Sequence, residues 1–152
     1  MEKQIVRDTF FLNQKSEEAT KADLPVAQDL EDTLRANRER CVGMAANMIG
    51  YRKRIIIVAT GFADIVMINP VITAKSEPYE TEEGCLSLPG TRKTTRYKNI
   101  TVSYLDKKFV MYTQDFSGWI AQIIQHECDH LEGILFIDKA LSLSAKPKEE
   151  NV

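Results

Sequence analysis

The chain has 152 residues, 43% hydrophobic and 28% charged, with a formal net charge of −2. That length supports one domain with a real core, and the near-neutral charge gives no nucleic-acid or membrane-surface signal. No apolar run approaches the roughly 20 residues a bilayer span needs, and Met1-Glu2-Lys3-Gln4 lacks a charged-then-apolar leader pattern, so a cytoplasmic protein is expected.

Residues 1–23 are polar and mixed apart from Phe10, Phe11 and Leu12, and are expected to be less ordered. Residues 25–40 read as a helix. Pro25 suits a first turn, and Val26, Leu30 and Leu34 recur four apart to make an apolar stripe. Val42-Gly43-Met44-Ala45-Ala46 is small and apolar, which permits close backbone approach. Arg54 to Ala59 is continuous and β-branched, so a buried strand is expected. Ile65–Ile68 and Val71–Thr73 flank Asn69-Pro70, a turn or bulge. The Gly and Pro residues of Glu82 to Gly90 shorten any strand there and leave a turn. Ile100–Leu105 and Phe109–Tyr112 flank Asp106-Lys107-Lys108 and read as a hairpin. Residues 117–131 return to helical spacing through Ile120, Ile123, Ile124 and Leu131, with Ser117 as a cap. The Lys/Glu-rich residues 142–152 are expected to fray. A helix, several strands and a second helix make one α+β domain with mostly antiparallel pairing.

Three cysteines, Cys41, Cys85 and Cys128, do not describe a disulfide scaffold. The two histidines both fall in His126-Glu127-Cys128-Asp129-His130, so imidazole chemistry can happen at one place only. On a helix, positions i and i+4 face the same way, and both rings can reach one ion. Glu127 then points near the same cavity, placed to act as base on a water activated by that ion. The bland alternative is two helical histidines on a wet or core face, and a bare H-E-x-x-H arises by chance. Burial of the apolar helix favours a metal, because buried imidazoles need partners. The extended metalloprotease pattern would put a third histidine where Phe136 stands, so the third ligand must be a carboxylate or a thiolate. Cys85, in a Gly-bounded apolar segment, is the best thiolate, although a small buried hydrophobe is its ordinary reading. Cys128 lies about 200° round the helix from either histidine. Cys41 has no evident metal partner, and both are read as structural.

These motifs resemble those of the peptide deformylases. Glu83-Gly84-Cys85-Leu86-Ser87 and Gln125-His126-Glu127-Cys128-Asp129-His130-Leu131-Glu132-Gly133 match at every defining position. Met67-Ile68-Asn69-Pro70, Arg96 and Gly118 support the match, which runs from about Leu30 to Asp138. The resemblance implies antiparallel sheets packed around a central metal-binding helix. It implies removal of the formyl group from the N-terminal methionine of new polypeptides, with release of formate. It further implies one divalent metal, ferrous iron with zinc or nickel as substitutes, on Cys85, His126 and His130. By the same resemblance Glu127 is the general acid/base, and the Leu86 backbone N–H donates to the developing oxyanion. Val42 and Gly43 line the substrate groove, with Arg96 beside the bound peptide. The first family motif, G-Φ-G-Φ-A-A-x-Q, reads here Cys41 to Met48. Cys41 replaces a glycine, and Met48 replaces the glutamine whose amide donates to the formyl oxygen. A thioether cannot donate. An adjacent amide, Asn47, could substitute only if the backbone shifts. Met48 therefore keeps a second reading open, a metal-binding relative that recognises methionyl peptides without turnover. A zincin-type endopeptidase is disfavoured by Phe136, and a closed structural site by having three evident ligands. Residues after Asp138 are few and include Pro147, so ribosome docking through a long terminal helix is not expected.

Overall fold

The computed structural model describes residues 1–85 and 87–134. Helix α1 spans Thr9–Leu12 and α2 spans Leu24–Ala36. Strands β1 (Gly43–Ala45), β2 (Ile55–Ala59), β3 (Asp64–Cys85), β4 (Leu88–Leu105) and β5 (Met111–Ser117) follow, and α3 (Gly118–Leu131) is the last element among the described residues. The strands form one antiparallel sheet in the order β1-β2-β3-β4-β5. Helices α2 and α3 both pack on β1 and β2, and α3 also meets β4 and β5, which makes the chain α+β as its element order suggested.

The core sits where these layers meet. Leu30 and Leu34 of α2, Ile55 to Val58 of β2, Met67 of β3, and Ile124 and Leu131 of α3 are fully or almost fully buried. Burying one such side chain contributes about 1.5–3 kcal/mol, so the apolar stripe of α3 holds that helix firmly under the sheet. Asn69 takes a left-handed backbone (φ 50°) at a break in β3–β4 register between Ile68 and Val71. The expected turn or bulge there is a bulge. Its side chain accepts from Ala19 N at 2.8 Å and donates to Ala19 O at 3.0 Å, which ties the N-terminal segment to the sheet.

Residues 1–23 carry more structure than their polarity suggested. Leu12 is fully buried, Val6 N donates to Met48 O at 2.8 Å, and Ser16 N donates to Leu131 O at 2.8 Å. The fraying expected of residues 142–152 lies outside the described residues. Ser117 occupies the N-cap position of α3, but its hydroxyl makes no cap hydrogen bond.

Candidate metal centre

The site forms where the end of the β3–β4 hairpin meets α3. Register Cys85↔Leu88 closes that hairpin, so β3 runs on through Cys85 instead of stopping before it. Helical spacing stacks His126 and His130 one turn apart, with ring centroids 5.2 Å apart. Donor atoms of Cys85, His126 and His130 all lie within 4.8 Å of one another, and Cys85 Sγ stands 3.2 Å from His130 Nε2. Cys128 is not in this cluster, as its helical angle requires.

The donor chemistry fits a divalent cation. Burial by itself would raise the Cys85 pKa, but the two imidazoles reverse this and hold the thiol well below its usual range. Burial would lower the pKa of His126, yet the Cys85 and Glu83 side chains hold its proton well above the ordinary histidine range. A divalent cation would take the place of the His126 proton and satisfy all three donors. Three candidate ligands among the described residues would leave a coordination position open, as a reactive site needs and a closed structural one does not.

Glu127 is buried in the same cavity, and its Oε1 has no hydrogen-bond partner among the described residues. Desolvation raises its pKa from 4.5 to about 7, against the pull of both imidazoles. A carboxyl balanced near neutrality can both take and return a proton. Gly43 explains how β1 comes so close. A Cβ there would stand 2.5 Å from Ile123 Cγ2 and 3.1 Å from Glu127 Oε2, so any side chain would push into α3. Val42 and Gly43 line a cavity of about 310 Å³ together with Cys85, His126 and Glu127.

Arg96 is placed differently from expectation. It does not line that cavity and is only 2% exposed. Its guanidinium grips Glu83, with Nε to Oε2 at 2.8 Å and Nη2 to Oε1 at 2.7 Å, and Nη1 reaches Asp129 Oδ2 at 2.7 Å. Glu83 Oε1 in turn lies 2.8 Å from His126 Nδ1, and Gln122 Nε2 donates to Glu83 Oε2 at 3.0 Å. Burial alone would raise the Glu83 pKa. The Arg96 fork and His126 outweigh it and hold the carboxylate well below its usual range. This network fixes the ring of His126 with its Nε2 toward Cys85, an orienting role that the sequence reading missed. Strand alternation puts Glu83 on the same side as Cys85, and helical spacing puts Gln122 on the side of His126. Those were the available signals.

Met48 lines the cavity at 1% exposure, and its Sδ accepts from Ala45 N at 3.4 Å. Asn47 does not replace the missing donor, because its Nδ2 is committed to His130 O at 2.9 Å. Cys41, read as structural, lines the cavity too. Burial pushes its thiol up to about 12, and Sγ donates to Gly43 O at 2.8 Å. Leu86 lies outside the described residues.

A family model described as polypeptide deformylase matches residues 3–146. A protein of Clostridium beijerinckii named peptide deformylase is 62% identical over 135 residues, covering 89% of this chain and 99% of its own. The actinonin-bound class I type b peptide deformylase of Acinetobacter baumannii superposes with a TM-score of 0.82 at 32% identity, covering 91% of this chain and 98% of that one. The Met-Ala-Ser-bound structure of the Acinetobacter baumannii enzyme gives 0.82 at 30% identity, covering 91% and 99%.

Proposed function

Because this chain belongs to the polypeptide deformylase family, we propose that the cavity built by β1, the β3–β4 turn and α3 is where it removes the formyl group from the N-terminal methionine of new polypeptides. The activity itself is that of a metal-dependent hydrolase, as the family match and the 62% identical relative indicate. The observation that carries the site is the convergence of Cys85, His126 and His130 beside a buried carboxyl.

Cys85, His126 and His130 would hold one divalent metal. Ferrous iron is the proposed resident, with zinc and nickel able to take its place, since a thiolate and two imidazoles suit all three. When bound, the metal supplies Lewis-acid chemistry that polarises the formyl carbonyl and brings water toward ionisation at neutral pH. Glu127 takes the proton of the attacking water and returns it to the departing amine nitrogen. The water oxygen joins the formyl carbon, C–N cleavage releases the methionyl amine and formic acid, and the acid's proton passes to the amine or to solvent to leave formate. Glu83 and Arg96 keep His126 oriented throughout. The Leu86 backbone N–H is proposed to donate to the developing oxyanion.

Among the described strands β1 pairs only with β2, and an extended peptide is proposed to run beside Val42 and Gly43, which line the cavity. The proposed partner is therefore the formyl-methionyl end of a peptide in the cytoplasm. Neither nucleic-acid contact nor docking on the ribosome through a long terminal helix forms part of this reading. No helix among the described residues is long and apolar enough to cross a membrane. Recognition without turnover rested on Met48 alone, and it is disfavoured by the close relative's name and by the buried, unpartnered Glu127 oxygen. The test is formate release from formyl-Met-Ala-Ser by protein loaded with iron, nickel or zinc. Turnover is expected with at least one of them. No turnover with any, at verified metal content, would overturn the reading.

A further inference from the structure

A carboxylate offers about four acceptor sites, and four donors among the described residues meet that of Glu83. At Oε1 stand Arg96 Nη2 at 2.7 Å and His126 Nδ1 at 2.8 Å. At Oε2 stand Arg96 Nε at 2.8 Å and Gln122 Nε2 at 3.0 Å. Gln122 thus completes the set. Glu83 is only 3% exposed, so bulk water does not stand in for a donor removed there. Gln122 precedes His126 by four residues on α3, so the two side chains share one side of the helix and hold the two oxygens of one carboxylate.

The amide of Gln122 is held at its other end as well. Its Oε1 accepts from Tyr79 Oη at 3.3 Å. An amide turned end for end would set its oxygen against the Glu83 carboxylate and face the tyrosine hydroxyl with an NH2 group, so both neighbours select the same orientation. Tyr79 lies four residues before Glu83 on the same face of β3, and directly opposite Arg96 in the β3–β4 ladder. One rung of the hairpin therefore reaches Glu83 twice, directly through Arg96, and through Tyr79 by way of Gln122. Gln122 also lines the cavity, where an amide is ordinarily read as a contact for a bound ligand. Here protein groups already engage both ends of that amide.

We infer that Gln122 is a positioning residue for His126, acting through the Glu83 carboxylate, and that Tyr79 fixes the amide that does so. This rests on the reading of Cys85, His126 and His130 as metal ligands of a deformylase. Without the amide the carboxylate keeps its Arg96 fork but loses the donor that sets its tilt, and the imidazole is aimed less tightly at the ion. Competition with a chelator measures zinc affinity in wild type, Gln122→Leu and Tyr79→Phe without any need of turnover. Gln122→Leu should bind zinc about tenfold more weakly, the low end of what loss of a ligand's hydrogen-bond partner costs. Tyr79→Phe should move affinity the same way by about two- to threefold, the scale of one partly exposed hydrogen bond. Proton NMR of the zinc-loaded protein reads the geometry itself. The His126 Nδ1–H signal should exchange with water faster in Gln122→Leu than in wild type, while the backbone amides of α3 exchange as before. With formyl-Met-Ala-Ser at saturating metal, Gln122→Leu should lower kcat and leave KM in place. Wild-type zinc affinity in Gln122→Leu, an unmoved Nδ1–H exchange rate, or a raised KM at unchanged kcat, the mark of a substrate contact, would each overturn the inference and leave the deformylase reading standing. Full affinity in Tyr79→Phe would overturn the part assigned to Tyr79. Weaker zinc binding and faster exchange in Gln122→Leu, with no formate released even by the wild type, would support the positioning role and overturn the activity.

Discussion

Burial and two imidazoles pull the proton of Glu127 in opposite directions, and burial prevails, with a pKa of about 7 against 4.5 for a free carboxyl. A carboxyl whose folded pKa lies above its unfolded one binds protons more tightly when folded. Its stabilising contribution is complete below about 4.5 and is lost as the pH rises through about 7. Metal-free Glu127→Gln lacks this loss and should gain up to about 3 kcal/mol over the metal-free wild type across that window. Urea unfolding of both proteins at pH 5 and pH 8 measures it, and parallel profiles would contradict the burial of this carboxyl. Met48 makes the second prediction at this scale. Its sulfur takes the Ala45 N–H and offers the cavity no donor. In Met48→Gln the amide oxygen can keep that hydrogen bond while the NH2 group faces the cavity. The expected gain in kcat is on the order of tenfold or more, because one oxyanion donor is typically worth about 10²–10³. An unchanged kcat would mean another group already donates there.

Element geometry explains which parts of this site could be read in advance. The i, i+4 spacing of His126 and His130 pointed to α3 and to the two imidazoles that the structure brings close together, because helix and motif share one periodicity. Cys85 followed by elimination. The arms of the β3–β4 hairpin were not legible. Residues such as Lys75, Ser76, Glu80 and Thr95 show no apolar alternation, and the ladder from Lys75↔Ile100 to Glu83↔Arg92 holds a largely exposed strand without a buried face to announce it. For the same reason Arg96 was misplaced. It comes from a polar strand, yet it reaches Glu83 and Asp129 on two other elements and is buried between them. Its removal leaves the Glu83 carboxylate buried without its fork. Arg96→Ala should therefore cost about 3–5 kcal/mol in stability. Loss of the orienting carboxylate geometry should weaken metal binding about 10–100-fold, with partial recovery in Arg96→Lys. Unfolding of the metal-free variants and competition with a chelator read the two effects separately. A stable Arg96→Ala with wild-type metal affinity would remove the network from the account.

For the whole molecule, one sheet and one helix among the described residues supply the candidate site. β1 lends a glycine that lets it approach α3, the end of β3 lends Cys85 and the Glu83 carboxylate, and α3 lends two imidazoles and the buried Glu127 carboxyl. The α+β class and the antiparallel pairing were legible from the order of elements. The contribution of residues 1–23 was not, because their anchoring comes from single buried groups such as Leu12 and from backbone hydrogen bonds, which leave no periodic trace. At this scale the central claim is that one divalent ion on Cys85, His126 and His130 makes the chain a deformylase. Formate release from formyl-Met-Ala-Ser, followed while metal is added to metal-free protein, tests it most directly. The rate should rise in proportion to bound metal, level off at one equivalent, and fail to do so in Cys85→Ser. Turnover by the metal-free protein, or a Cys85→Ser titration that matches the wild type, would contradict it.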